Sequence, residues 1–380
     1  MTTTIADVRG YGLSSPYGSR NALGHPLRLK SLGLVEVVTS SGVVGLGETY
    51  AGVYAPELIA PTIEFLKPFL VGLPVEAIGA VQRRLEQLPF IGRNGFISSV
   101  ASAVDIALWD IAGKLAGVPV WQLFGAPGRN AVRLYASSGS SVFTPQEIAD
   151  DVRLVRELGY GAYKMRVGFQ DWSADLERVE TARRHLGDAD LMIDAIMGSL
   201  DPPWDAETAI SRSADLAQFG PAWLEEPVHP SNLAGLKAVR DRSTIPIASG
   251  EALTGKFEFQ QYLAADALDY LQPDATHSGG LSATAEIIRQ ARGKNVKVAL
   301  HVWGGAPAIA ANAHLALASP DVEILEYPMM HLDITQEMFV TPLDIRGGFM
   351  TAPQEPGLGV QLTDDVKRRY RLVPGSGYRI

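Results

Sequence analysis

The pattern of apolar and polar positions changes character along the chain. Ile5 to Leu13, Leu32 to Thr39 and Val43 to Glu48 read as strands, the last two joined by the turn-forming run Ser40-Ser41-Gly42. Ser14 to Pro26 is rich in Gly, Ser, Pro and Asn and reads as a loop. Apolar residues then recur with helical period over Pro56 to Leu70, Pro74 to Leu88 and Phe96 to Ala116. Strands followed by helices predict a small α+β domain, residues 1–128, ending near Gly125-Ala-Pro-Gly128.

From residue 129 the pattern becomes an alternation. Val132 to Ala136 is a short strand, and Pro145 to Leu158 is a helix with Thr144 placed to cap it. Strand-like runs then end at Lys164-Met-Arg166, Asp194, Glu225, Glu251, Asp274, His301 and Glu326, with helical segments between most of them. Eight strands alternating with helices over about 200 residues is the period of a β/α barrel. The barrel is expected over residues 129–345, and the Gly/Pro-rich residues 346–380 are expected to fold back onto the first domain.

Composition narrows the chemistry. The 380 residues include no cysteine, which excludes disulfides, zinc–thiolate sites, iron–sulfur clusters and a thiol nucleophile. A hydrophobic share of 46% and a charged share of 20% describe an ordered globule rather than a disordered chain. The net charge of −9 disfavours nucleic acid as a partner, because phosphate neutralisation needs excess Lys and Arg. The first residues show no basic stretch followed by an apolar one. Ala306 to Ala318 is too short, and too polar at Asn312 and His314, to span a bilayer. These features predict a cytoplasmic protein with no membrane partner.

The polar residues at the strand ends are spaced by 30, 31, 26, 23, 27 and 25 positions from Lys164 to Glu326, each about one βα unit. The C-terminal ends of barrel strands share one pocket, so these seven ionisable groups should converge. A lone Asp or Glu is more often a cap or salt-bridge partner; a set in phase with the strand period points to a site. Asp194, Glu225 and Glu251 sit on consecutive strands, and converged carboxylates repel unless a cation neutralises them. Hard oxygen ligands suit Mg²⁺. A buried ion-pair network is the alternative, but Lys164 and Arg166 are the evident cations at strand ends.

With these residues in place, the chain resembles the mandelate-racemase-like branch of the enolase superfamily over nearly its whole length. The resemblance is carried by Ala107-Leu-Trp-Asp-Ile-Ala-Gly-Lys114, Trp223-Leu-Glu-Glu-Pro227, Gln272-Pro-Asp274 with Gly279-Gly280, and His301-Val-Trp-Gly-Gly305. It implies a modified TIM barrel of the (β/α)7β form with an N-terminal α+β capping domain. It also implies Mg²⁺ held by Asp194, Glu225 and Glu251, with Glu226 beside a ligand in support. Lys164 and an uncharged Glu326 would contact the substrate carboxylate, and His301 with Asp274 would form the acid/base dyad. Such enzymes take the proton next to a carboxylate. A positioned base supplies only about 10²–10⁴-fold, so electrostatics must supply the rest.

Two departures from the family pattern bear on the reaction. The pattern Lys-x-Lys is here Lys164-Met-Arg166, and a guanidinium is a poor base. One-base elimination from the His301 side is then favoured over racemisation, with Arg166 binding a substrate oxygen. Asp-x-Asn is here Asp194-Ala-Ile196, and Ile196 cannot hydrogen-bond a hydroxyl, which suggests a less hydroxylated or cyclic acid. Met197 to Trp204 reads as an insertion near the site.

By the same resemblance, two segments of the first domain cover the barrel mouth and set substrate choice. Their candidates are Tyr17, Arg20, Asn21, His25, Tyr50 and Tyr54, each also readable as a solvated or packing residue. Trp303 could shape the pocket or pack the rim. Among the other histidines, His314 reads as packed and His185 as exposed, His331 has no motif, and His229 and His277 could reach the pocket. The leading expectation is a Mg²⁺-dependent dehydratase of a sugar acid or related hydroxy acid, with a small carboxylate as substrate and a homo-oligomer as the assembly. An epimerase, racemase or cycloisomerase on the same enediolate chemistry remains open, as does a non-catalytic ligand-binding barrel.

Overall fold

In the computed structural model, which describes residues 2–17, 27–88, 90–125 and 128–378, the first strands form one antiparallel sheet. Its order is β1 (Ile5–Pro16), β2 (Leu29–Thr39) and β3 (Val44–Thr49). Arg20, Asn21 and His25 lie outside the described residues. β1 and β2 run past their expected ends, because the Ser-rich composition hides buried, satisfied hydroxyls. Ser14 and Ser31 each meet the Ser376 hydroxyl at 2.8 Å. The expected helix over Pro56 to Leu70 is broken into a 3₁₀ turn, helix α1 (Ile59–Leu66) and a second 3₁₀ turn (Lys67–Phe69). Pro56 and Pro68 sit at the starts of the two turns, where a missing N–H costs least. The next expected helix shortens to α2 (Ile78–Glu86).

Helix α3 (Gly95–Ala116) is long and apolar enough to cross a membrane by length and composition, yet 67% of its apolar window is buried inside the protein. It lies against β3, and the contact depends on two glycines. A Cβ at Gly45 would stand 2.0 Å from the Ala107 carbonyl oxygen, and one at Gly47 1.9 Å from that of Ala103. α3 also fastens the first domain to the barrel: Asp105 accepts from the Ser282 backbone N–H at 3.0 Å and its hydroxyl at 2.6 Å.

The barrel consists of eight parallel strands. They are β4 (Ala131–Ser137), β5 (Ala162–Arg166), β6 (Asp190–Asp194), β7 (Trp223–Glu225), β8 (Ile247–Ser249), β9 (Tyr270–Leu271), β10 (Lys297–Leu300) and β11 (Val322–Pro328). β11 pairs with β4 and closes the ring. One main helix follows each strand up to β10: α4 (Pro145–Glu157), α5 (Trp172–Leu186), α6 (Ala206–Ala217), α7 (Leu233–Arg242), α8 (Gly255–Ala265), α9 (Gly280–Arg292) and α10 (Ala306–Ala318). The fold is thus a (β/α)7β barrel with an N-terminal α+β domain. Thr144 and Glu147 form a reciprocal capping box at the start of α4. Tyr135, Met192, Trp223, Tyr270 and Ile324 are buried in one cluster contributed by the barrel strands.

The last residues run back to the first domain. Leu358 N–H donates to Asp110 at 2.8 Å, and Tyr378 N–H donates to the Val53 carbonyl at 2.8 Å. The second contact brings Tyr378 to the mouth of the barrel, where it lines a cavity.

Candidate active site

At the barrel mouth lies a cavity of about 260 Å³. Successive strands present their last residues to it, because parallel strands in register end at one level. Arg166 pairs with Asp194 across β5 and β6, and Asp194 with Glu225 across β6 and β7. Asp194, Glu225 and Glu251 each offer an oxygen within 4.8 Å of the others.

Lys164 is buried among three carboxylates. Its Nζ lies 2.7 Å from Glu225 Oε1, 3.0 Å from Glu326 Oε1 and 3.4 Å from Asp194 Oδ2. Burial pulls its pKa down, but Glu225 and Glu326 outweigh burial and hold it well above the usual lysine range. Glu326 is the reverse case. Burial alone would raise it, yet Lys164 and His301 pull it down to about 2. The expectation of an uncharged Glu326 is therefore corrected: the carboxylate is ionised, because it faces two cations and accepts from Val302 N–H at 3.0 Å.

His301 Nδ1 lies 2.9 Å from Asp274 Oδ2. Asp274 is held by the Thr276 N–H at 2.8 Å, the Thr276 hydroxyl at 2.7 Å and the Asn312 amide at 2.9 Å, all on Oδ1. Despite burial, the bond to His301 keeps the Asp274 pKa below the usual carboxylate value. His301 Nε2 is aimed at Glu251, 3.3 Å away, and Glu326, 3.7 Å away. Burial lowers the imidazole pKa, but Glu251, Glu326 and Asp274 outweigh it and push it up to about 9.

The remaining carboxylates lack enough positive charge nearby to favour their ionised forms. Burial and repulsion from Glu225 raise Asp194 to about 8. Burial raises Glu251, and His301 and Lys164 offset this only in part. Glu226 is pushed well up by burial and by Glu251, Asp194 and Glu225; its backbone is left-handed at φ +43°, and its Oε1 has no hydrogen-bond partner among the described residues. Asp194, Glu225, Glu226 and Glu251 thus crowd together with Lys164 already shared. That donor set fits a hard divalent cation.

Of the expected substrate contacts, Tyr50, Tyr54, Arg166, Ile196 and Trp303 line the cavity. Tyr50 and Tyr54 come from a one-turn helix rather than a loop, and their hydroxyls are 3.0 Å apart. Arg166 stacks 4.8 Å from the Trp303 ring, and its Nη1 donates to the Ser138 carbonyl at 3.0 Å. Ile196 stands in a left-handed conformation at φ +45°, where the 197–204 segment leaves β6. Within that segment Ser199 reaches the cavity. Tyr17 is buried and bridges Leu332, and it does not itself line the cavity. His277 does not line it either, but bonds Ser99 at 2.7 Å and packs on the edge of Tyr50. His229 pairs with Ser231, His314 accepts from the Trp121 N–H, and His185 and His331 are exposed.

Beyond cavity-lining residues such as Ser140, Phe169 and Tyr378, sequence reasoning missed Lys30 and Glu48 from the first sheet, and Asn312 on α10. None lies at a barrel strand end, so the strand period gave no signal for them.

Comparison with known proteins agrees with this geometry. The chain is 31% identical to L-talarate/galactarate dehydratase of Salmonella typhimurium, covering 93% of this chain and 86% of that protein. It is 33% identical to D-galactarolactone cycloisomerase of Agrobacterium fabrum, covering 89% and 91%. A racemase from Streptomyces coelicolor, solved with bound magnesium, superposes with a TM-score of 0.86 at 29% identity, covering 97% of this chain and all of that one. Residues 24–125 match the N-terminal domain of the mandelate racemase/muconate lactonizing enzyme family, and residues 147–366 match its enolase C-terminal domain-like partner, so the chain belongs to that family.

Proposed function

We propose that this protein is a Mg²⁺-dependent lyase that removes the α-proton of a hydroxycarboxylic acid of the sugar-acid type and then expels water. The reading is carried by one observation: His301 is held by Asp274 at 2.9 Å through Nδ1, leaving Nε2 facing the carboxylate cluster. Asp274 fixes the tautomer that donates from Nδ1, so Nε2 is the atom that moves a proton. When bound, the dication would offset the charge of the surrounding carboxylates, including their hold on the His301 proton, and stabilise negative charge on the substrate carboxylate. Asp194, Glu225 and Glu251 would hold it, with Glu226 beside them. Lys164 would meet the substrate carboxylate, and the ionised Glu326, 3.0 Å from its ammonium, holds that cation in place.

The proton balance needs one base. His301 Nε2 accepts the α-proton, and the C–H electrons enter an enediolate stabilised by Lys164. The enediolate collapses, the β-C–O bond breaks, and His301 returns its proton to the leaving oxygen as water. The enol product tautomerises to a 2-keto acid. Arg166 stays protonated and binds a substrate oxygen. Lys164 makes a poor second base because Glu225 and Glu326 hold its proton. This weighs against racemisation. A cycloisomerase among the relatives keeps a ring-forming or ring-opening isomerisation as the second reading, since it also needs one base. We assign residues 1–128 to the cap, 129–345 to the catalytic barrel and 346–380 to a segment that returns to the cap; the active assembly is a homo-oligomer.

The test is incubation of candidate acids with the protein and Mg²⁺ in D₂O. Loss of the mass of water supports the lyase; α-deuterium without mass loss supports an isomerase; no exchange across a broad set of acids supports a binding protein. His301→Asn should end α-proton exchange while the protein stays folded and metal-bound. Exchange at the wild-type rate in that variant would remove His301 from the mechanism.

A further inference from the structure

Among the described residues Arg166 lines the cavity, and Lys164 and Lys30 each stand behind a residue that lines it, Asp194 and Trp303; the three are not equally engaged. Lys164 is shared by three carboxylates. Arg166 donates to the Ser138 carbonyl, and its nearest carboxylate oxygen among the described residues is 3.9 Å away on Asp194. Lys30, reaching in from β2, is 3% exposed, and its Nζ has no hydrogen-bond partner among the described residues. It stands 3.8 Å above the Trp303 ring, the same indole that Arg166 approaches at 4.8 Å. Glu48 does not supply the missing acceptor; its two oxygens take the backbone N–H groups of Gly305 and Ala308 at 2.7 and 3.1 Å, and Lys30 Nζ bonds neither.

An apolar side chain would fill the Lys30 position without the cost of burying an unpartnered ammonium. Stacking on Trp303 offsets part of that cost, but a second cation on the same ring takes stabilisation away. What relieves both charges at once is an anion placed between them. We propose that Lys30 and Arg166, set against Trp303, form a cationic subsite for a second carboxylate of the substrate, so that the preferred acids carry a carboxylate at each end. The inference rests on the sugar-acid reading of the site and deepens it to the dicarboxylic class. The electrostatics agree. Burial pulls the Lys30 pKa down to about 7, Arg166 pushes it the same way, and Glu48 restores only part. An incoming carboxylate would hold the proton in place.

The test measures binding calorimetrically on the Mg²⁺-loaded full chain with galactarate and galactonate, which differ in one terminal carboxylate. Wild-type protein should bind galactarate more tightly by about tenfold or more, the scale of one charge-assisted contact. Lys30→Met should erase that ratio, and Lys30→Gln should repeat the result, while both variants melt at or above the wild-type temperature. Equal affinity for the two acids in the wild type, or no binding of either, would overturn the proposal. So would an equal loss for both acids in Lys30→Met, because the ammonium would then be structural. Deuterium exchange at the α-carbon of the bound acid is read separately. Selective binding without exchange would leave the subsite standing and remove the lyase reading.

Discussion

Glu251 stands between two demands. It offers an oxygen to the acidic cluster and at the same time lies 3.3 Å from His301 Nε2. Replacing it by Gln removes one anionic ligand and one charge that holds the imidazole proton. Glu251→Gln should weaken Mg²⁺ binding by about tenfold or more, and lower turnover with it. Metal titration followed by activity assay checks this, and full activity after exhaustive chelation would contradict it. Arg166 predicts a different outcome. As a binding cation it should mainly affect KM, so Arg166→Lys raises KM and leaves α-proton exchange from the His301 side intact. Because Lys can lose its proton where Arg cannot, a second exchange channel on the opposite face is the further expected sign. NMR of the deuterated product reads both. At this scale the sequence was most informative where residues ended barrel strands, from Lys164 to Glu326, because one period placed them all. It was silent on Lys30 and Glu48, whose partners Trp303 and Gly305 lie more than half the chain away.

The elements that meet at the dyad come from both domains. Glu48, near the end of β3, accepts from the first turn of α10 at 2.7 and 3.1 Å, as an N-terminal carboxylate complements exposed N–H groups and the helix dipole. α10 in turn carries Asn312, whose amide donates to Asp274 Oδ1 at 2.9 Å. A strand of the first sheet therefore fixes a barrel helix, and the helix fixes the carboxylate that orients His301. Burial raises Glu48 to about 7 even though both backbone donors pull it down. Glu48→Gln keeps the shape but supplies one acceptor oxygen instead of two. It should cost about 1 kcal/mol of stability and lower kcat more than KM, since substrate contacts remain. Urea unfolding and steady-state kinetics measure the two parts; unchanged kcat would break the proposed link from cap to dyad. Element boundaries were legible where caps and period agreed, as at Thr144 and over α3. They were obscured where prolines divided one apolar pattern into short turns, as around α1, and where buried serines looked like loop, as at the end of β1.

At the scale of the whole molecule, burial favours the neutral form of two imidazoles among the described residues. His314 on α10 accepts from the Trp121 N–H at 3.1 Å and so ties the barrel to the connection from the first domain. Burial pulls its pKa down to about 4, and burial likewise pulls His277 to about 4 where it bonds Ser99. An unfolded chain protonates both near the ordinary value of about 6.5. The folded pKa values lie below the unfolded ones, so the unfolded state takes up protons first. Stability is therefore fully present above about pH 6.5 and falls as the pH drops toward 4. For His314 the gap of roughly 2.5 units corresponds to about 3 kcal/mol over that window. His314→Gln keeps an acceptor for the Trp121 N–H but cannot titrate. Its stability should lose about 3 kcal/mol less than the wild type between pH 6.5 and 4, with the two closest in slope above pH 7. Denaturant unfolding at several pH values measures the difference. Parallel curves for the two proteins would mean that His314 is protonated while folded, and that another group drives the acid limb.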